Sequence, residues 1–169
     1  MNKIPNVGDL NGELIMDKIN YSKVKNIKYY HPNLDLSEEF YTKFKDKIKT
    51  KECYDNIYHI VNNYSSLSND YPNIYIVYGG VQIDFKENPE SNLFVKHCFF
   101  RLQDKIIDPT MYKNNSLNKQ TKYFSVIEYN INEYFNMLVE YEETLPISIM
   151  RELNKVTMDL LNHNITYAG

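Results

Sequence analysis

Three residues of this sequence are of the types that carry out nucleophilic catalysis together: Cys53, His97 and Asp108. A thiol attacks as the thiolate, and an imidazole beside it can take the thiol proton and pass it to a leaving group. A carboxylate that binds the other ring nitrogen fixes the tautomer and the orientation of the imidazole. We therefore predict Cys53 as the nucleophile, His97 as the general base and Asp108 as the residue that orients the base.

The segments around His97 and Asp108 predict two strands of one tight β-hairpin. Apolar and aromatic residues flank the polar residues 103–105, and Pro109, which cannot donate to a ladder, ends the second strand. With a two-residue turn, Phe99 opposes Asp108, so His97 lies on the same face as Asp108 and diagonal to it. A three-residue turn would instead place the two side chains on opposite faces.

Cys53 stands at the start of a pattern typical of an amphipathic helix. The apolar positions after it recur at three- and four-residue steps. They are Tyr54, Ile57, Tyr58, Val61 and Tyr64. The partial positive charge at a helix N-terminus stabilises a thiolate, so a helix that begins at Cys53 favours the catalytic interpretation.

An earlier helix is predicted just before this one, with Ser37 or Asp35 as its N-cap. Its core-facing residues are Phe40, Phe44 and Ile48. No glycine or proline separates the two helical patterns, and Thr50 is the one obvious N-cap between them. A single continuous helix would remove the helix terminus from beside Cys53, and the sequence leaves both arrangements open.

The same residues also have an ordinary structural interpretation. In it Cys53 is a small buried hydrophobe, His97 a strand residue and Asp108 a turn residue before Pro109. A zinc site that adds Cys98 is disfavoured, because adjacent strand residues point to opposite faces. The zinc-deaminase signature and glycine-rich phosphate loops are absent from the sequence, so we predict no metal and no cofactor.

Composition limits the classes of protein and partner. With 169 residues, the chain is long enough for one domain that buries roughly two thirds of its unfolded surface. A net charge of -3 and a pI near 5.8 argue against a nucleic-acid partner or an anionic membrane. No apolar run reaches the length of a membrane span, and the N-terminus lacks a hydrophobic signal core. We therefore predict a cytoplasmic protein with no membrane association; its oligomeric state is left open.

The rest of the pattern predicts an α+β domain over 1–169. Residues 1–33 are predicted to form an irregular N-terminal arm with one short strand over 24–30. Strands are predicted over 74–78, 81–85 and 123–129, and Gly79 and Gly80 mark either a bulge or a hairpin between the first two. Helices are predicted over 131–143 and from Pro146 to about residue 162. We expect an antiparallel sheet of four or five strands with helices packed around it.

One part of the chain resembles a known superfamily. The order of a Cys at a helix start, a His followed by aromatic residues on a strand, and an apolar-apolar-Asp-Pro-Thr segment on the next strand is similar to the transglutaminase-like branch of the papain-like cysteine enzymes. The matching pieces are Cys53-Tyr54, His97-Cys98-Phe99-Phe100 and Ile106-Ile107-Asp108-Pro109-Thr110. The resemblance covers residues from about 50 to 112 and implies a papain-like or transglutaminase-like core.

The resemblance also implies a chemistry. Members of the superfamily include peptidases, amidases, acyltransferases and crosslinking enzymes. For this chain it implies a hydrolase or acyltransferase that acts on an amide or ester bond of a protein, peptide or small acyl substrate, through a thioester at Cys53. The backbone amide of Cys53 and the side chains of Asn56 and Gln82 are the candidate oxyanion donors. Tyr54 or Phe99 would replace the tryptophan that the superfamily often has beside its active site.

The alternative is a catalytically inactive relative that keeps the scaffold. Such a protein would act as a binding module and contact other proteins through exposed tyrosines, of which the chain has 16 in all. The two classes differ in one measurable property, the selective reactivity of Cys53 over Cys98 toward a thiol alkylator near neutral pH.

Overall fold

The molecule is an α+β protein built on a five-stranded mixed sheet. The structure, a computed structural model, describes residues 28–84 and 92–162. The strands are β1 His31–Pro32, β2 Ile74–Asp84, β3 Asn92–Leu102, β4 Lys105–Ile107 and β5 Lys122–Tyr129. Their order in the sheet is β1-β4-β3-β2-β5.

The prediction of a purely antiparallel sheet is wrong at β1. This strand runs parallel to β4, whereas the pairs β4–β3, β3–β2 and β2–β5 are antiparallel. A two-residue strand that ends in Pro32 is too short to show alternation, so the sequence carries no signal for its direction. Of the predicted N-terminal arm, residues 1–27 lie outside the described residues. Tyr30, at the end of the strand predicted over 24–30, makes an isolated antiparallel bridge to Tyr123.

Six helices are present in the described residues. They are α1 Leu34–Phe44, α2 Cys53–Asn63, α3 Leu67–Asp70, α4 Pro109–Lys113, α5 Ile131–Tyr141 and α6 Ile147–Asn162. None of them is long and apolar enough to cross a membrane. The N-cap of α1 is Asn33, whose side chain accepts from the Leu36 amide at 3.0 Å, and not Ser37 or Asp35. The hydroxyl of Ser37 instead donates to the Asn33 carbonyl at 2.7 Å.

The helices α1 and α2 are separate, which settles the arrangement that the sequence left open. The chain leaves α1 at Phe44 and passes through turns before Lys51, which has a left-handed backbone with φ 65°. A left-handed residue cannot continue an α-helix, so α2 begins afresh at Cys53. The N-cap of α2 is Glu52, not Thr50, and its side chain makes no cap hydrogen bond.

Strand β2 continues through its two glycines without a turn. It pairs with β3 over its whole length, and its register with β5 shifts between Tyr78 and Gly79, where β5 carries one extra residue. A Cβ atom on Gly79 would lie 1.9 Å from the carbonyl oxygen of Phe124, so β5 crosses too close for any side chain there.

The two faces of the sheet are covered differently. One face, which includes Tyr78, Cys98 and Phe100, joins the large core formed with α1, α2, α5 and α6. The opposite face carries a smaller apolar cluster around Phe99 and Tyr123. The candidate site lies at the end of β4, beside the smaller cluster.

Candidate functional site

The β3–β4 hairpin has the two-residue turn on which the predicted geometry depends. Leu102 pairs with Lys105, and Phe100 pairs with Ile107. This register places the next residue, Asp108, opposite Phe99 and diagonal to His97 on one face. His97 and Asp108 are hydrogen-bonded, with 2.7 Å between Nε2 and Oδ2. The predicted contact between these two side chains is therefore confirmed.

Asp108 is fully buried and fully hydrogen-bonded. It is the N-cap of α4, and its Oδ1 accepts from the Met111 amide at 3.0 Å. Its own amide donates to the hydroxyl of Ser37 on α1 at 3.0 Å. The Tyr123 hydroxyl donates to Oδ2 at 2.7 Å, so this oxygen accepts from both Tyr123 and His97. A buried carboxylate requires such partners, and their number fixes its rotation.

Cys53 is the first residue of α2, and its thiol reaches the His97 ring. Strand β4 pairs with β3 only as far as Phe100, so His97 lies beyond the paired stretch. The interactions with Cys53 help to raise the pKa of His97, so the thiol lies close to the imidazole. Since Nε2 already donates to Asp108, Nδ1 is the ring nitrogen left to face the sulfur. Thiol, imidazole and carboxylate therefore follow one another as a chain of three groups, in which the imidazole and the carboxylate are hydrogen-bonded.

The electrostatics of this chain favour a protonated imidazole. Burial alone would lower the pKa of His97, but the charge and hydrogen bond of Asp108, together with the interactions with Cys53, raise that pKa to about 10. His97 therefore holds a second proton near neutral pH, and an imidazolium beside a thiol favours the thiolate. Cys98 behaves differently, because burial raises the pKa of its thiol well above the ordinary value.

The side chain of Asn56, predicted as a candidate oxyanion donor, is instead used in hydrogen bonds within the protein. Its amide nitrogen donates to the Lys49 carbonyl at 2.7 Å and to the Thr110 hydroxyl at 3.0 Å. Its side-chain oxygen accepts from the Lys49 amide at 2.9 Å. Both amide hydrogens are thus used, and Asn56 ties the loop before Cys53 to the segment after Asp108.

The two other oxyanion candidates differ in their placement. Gln82 is a buried residue of β2. It lies three positions beyond Gly79, the residue that pairs with His97, so Gln82 and His97 are separated by roughly 10 Å along the strand direction. The backbone amide of Cys53 belongs to the first turn of α2, where amides have no helical acceptor. The amide of Asn56 is the first to bond within the helix, to the Glu52 carbonyl at 2.8 Å. The Cys53 amide is therefore the best-placed donor of the three.

Each of the two residues proposed in place of a tryptophan, Phe99 and Tyr54, stacks on another ring. The ring of Phe99 stacks on His97, with centroids 6.0 Å apart and an interplanar angle of 27°. Tyr54 stacks on Tyr78 at 5.8 Å. Sequence reasoning missed Tyr123 as a partner of Asp108, because the bulge in β5 sets which residue of that strand reaches the carboxylate.

Comparisons of the chain with family models, with curated proteins and with solved structures found no match. Within residues 28–84 and 92–162, no group of three or more His, Cys, Asp and Glu side chains is arranged to hold a metal ion. The geometry around His97 is therefore the feature that points to a function.

Proposed function

We propose that this protein is a cysteine hydrolase or acyltransferase that acts on an amide or ester bond through a thioester at Cys53. The single observation that carries the proposal is the position of the His97 ring, which is hydrogen-bonded to a buried carboxylate on one side and interacts with a helix-terminal thiol on the other. Each neighbour has the role that its chemistry suits, since the carboxylate orients the base and the base activates the nucleophile.

The proposed reaction has two steps that balance in protons. The Cys53 sulfur attacks the carbonyl carbon, and the His97 imidazolium gives its proton to the leaving nitrogen or oxygen as that bond breaks. Neutral His97 then takes a proton from water or from an acceptor nucleophile, which attacks the thioester and frees Cys53. Water gives hydrolysis, and an amine or alcohol gives acyl transfer. The Cys53 amide would donate to the oxyanion in both steps.

We also propose that α2 and the sheet form a papain-like or transglutaminase-like core. The order along the chain supports it, because a cysteine at a helix start is followed by a histidine on β3 and by an aspartate directly after the antiparallel strand β4. The mixed direction of the sheet is confined to β1, which lies at its edge and outside this set of elements.

A trapping experiment tests the proposed function. The native protein is incubated with iodoacetamide near neutral pH, digested, and mapped by mass spectrometry. We expect label on Cys53 and little on Cys98, because the raised pKa of the Cys98 thiol and its complete burial keep it unreactive. His97→Ala should slow labelling of Cys53 by at least about tenfold, since it removes the imidazolium.

Matched cysteine variants complete the test. With a panel of amide and ester substrates, Cys53→Ala should abolish turnover, while Cys98→Ala should keep most of it. Label on Cys98 alone, or equal slow labelling of both cysteines in the native fold, would contradict the proposal.

One observation favours the second candidate, a binding module that has kept the scaffold. The side chains of His97 and Asp108 are 6% and 0% exposed, and Cys53 is 6% exposed, so the chain of three is largely closed to solvent. For such a module, Cys53→Ala would leave partner binding unchanged, and the electrophile would not distinguish Cys53 from Cys98.

A further inference from the structure

We propose that Tyr123 is a positioning residue of the Cys53-His97-Asp108 chain, and that its hydroxyl limits how strongly Asp108 holds the proton of His97. This inference rests on the proposed function, because it assigns Tyr123 a part in tuning the base of that reaction. Tyr123 lies on β5, which β3 and β2 separate from β4, and the sequence gives no motif that links it to the site.

The geometry supports this role because two donors share one oxygen. The Tyr123 hydroxyl and His97 Nε2 each lie 2.7 Å from Asp108 Oδ2. The other oxygen, Oδ1, accepts from the Met111 amide. All of these groups are buried, so water cannot replace the phenol if it is removed. The Tyr123 hydroxyl therefore stabilises part of the negative charge of Asp108, and the attraction between that charge and the imidazolium is weaker as a result.

The hydroxyl itself stays protonated. Burial and the charge of Asp108 raise the pKa of Tyr123 well above its ordinary value, so this side chain is a donor at every pH at which the protein would be assayed. Among the described residues, the titratable groups that interact with His97 or Asp108 are Tyr123 on β5, Cys53 on α2 and Cys98 on β3. α1 and α4 contribute a neutral hydroxyl and a backbone amide to the carboxylate.

The test uses Tyr123→Phe in the full chain, which removes the hydroxyl and keeps the ring. The freed carboxylate should hold the imidazolium more tightly, so the thiolate-imidazolium pair should persist to lower pH. We expect the acid limb of the pH profile for Cys53 alkylation to move down by roughly half a unit, as fits the loss of one hydrogen bond to a charged acceptor. His97 observed by NMR should correspondingly keep its second proton to higher pH.

The chain offers a close control for loss of a tyrosine hydroxyl. The Tyr64 hydroxyl also donates to an aspartate oxygen at 2.7 Å, on Asp70, outside the site. Tyr64→Phe should leave the pH profile unchanged. In an Asp108→Asn background, Tyr123→Phe should have no further effect on the profile, since the charge through which it acts is gone.

Three results would overturn the inference: an unmoved profile in Tyr123→Phe, an equal shift in Tyr64→Phe, or a shift that survives in Asp108→Asn. If Tyr123→Phe does not fold, fluorotyrosine at position 123 provides the second test. Its more acidic hydroxyl is a stronger donor, so the acid limb should move up, and no movement would refute the inference. The two failures can be told apart. If the proposed function is wrong, Cys53 does not react selectively, but the NMR titration of His97 still shifts in Tyr123→Phe; if the inference is wrong, that titration does not shift.

Discussion

At the residue scale, the feature that sets the chemistry is a histidine enclosed between a carboxylate and a thiol. The Asp108 carboxylate has no exposed surface, and its charge is balanced by a proton on the ring beside it. Breaking such a buried pair leaves an uncompensated charge, which costs more than the pair itself contributes. The pair would contribute both to the proposed catalysis and to folding stability, and its contribution to stability is measured through the pH dependence of unfolding.

The pH dependence of stability should report His97. Its pKa is raised from 6.5 in the unfolded chain to about 10 in the folded one, so folding binds a proton between these values. The contribution is complete below about pH 6.5 and is lost as the pH rises through about 10. In urea unfolding at several pH values, the native protein should lose stability over this range more steeply than His97→Gln. Parallel curves for the two proteins would contradict the prediction.

At the element scale, the site depends on how separate segments are joined, and here sequence reasoning succeeded unevenly. The apolar runs and Pro109 predict the two strands of the hairpin, whereas they leave its register open between a two-residue and a three-residue turn, and the structure has the two-residue turn. The break between α1 and α2 could not be predicted, since it depends on a left-handed Lys51, a residue with no preference for that conformation. The interpretation of Asn56 failed because long-range partners, invisible in the sequence, use all of its donors.

We therefore expect Asn56 to contribute mainly to folding stability and to affect the reactivity of Cys53 only indirectly. Asn56→Ala removes three hydrogen bonds and leaves the Lys49 backbone and the Thr110 hydroxyl without this partner. We expect the free energy of unfolding to fall by about 2–4 kcal/mol and Cys53 alkylation to slow, because the loop before α2 loosens. Asn63→Ala is the control in the same helix. Its amide makes one exposed hydrogen bond, to the His59 carbonyl, and its loss should cost under about 0.5 kcal/mol.

At the scale of the whole molecule, the sheet brings together residues that belong to different faces. Cys53 comes from a helix in the large core, whereas His97 shares its face with Phe99 and the smaller cluster. They meet because β4 stops at Ile107 and leaves the end of β3 open beside α2. The parallel pairing of β1 also belongs to this scale. It closes the far edge of the sheet through a connection that runs through five other described elements, too long a range for local pattern to predict.

The close crossing of β2 and β5 behind His97 gives a test at this scale. Gly79 pairs with His97, and a Cβ atom there would lie 1.9 Å from the Phe124 carbonyl oxygen, so Gly79→Ala must push two backbones apart. At Gly80 the Cβ would meet the end of the Phe124 ring at 2.2 Å, and a side chain can turn away where a backbone cannot. We expect Gly79→Ala to lower the free energy of unfolding by at least about 3 kcal/mol, and Gly80→Ala by less. Gly79→Ala should also slow Cys53 alkylation, because displacement of β2 moves His97 and, through β5, Tyr123. Equal losses of stability for the two variants in chemical unfolding would contradict the close approach of β2 and β5 at Gly79.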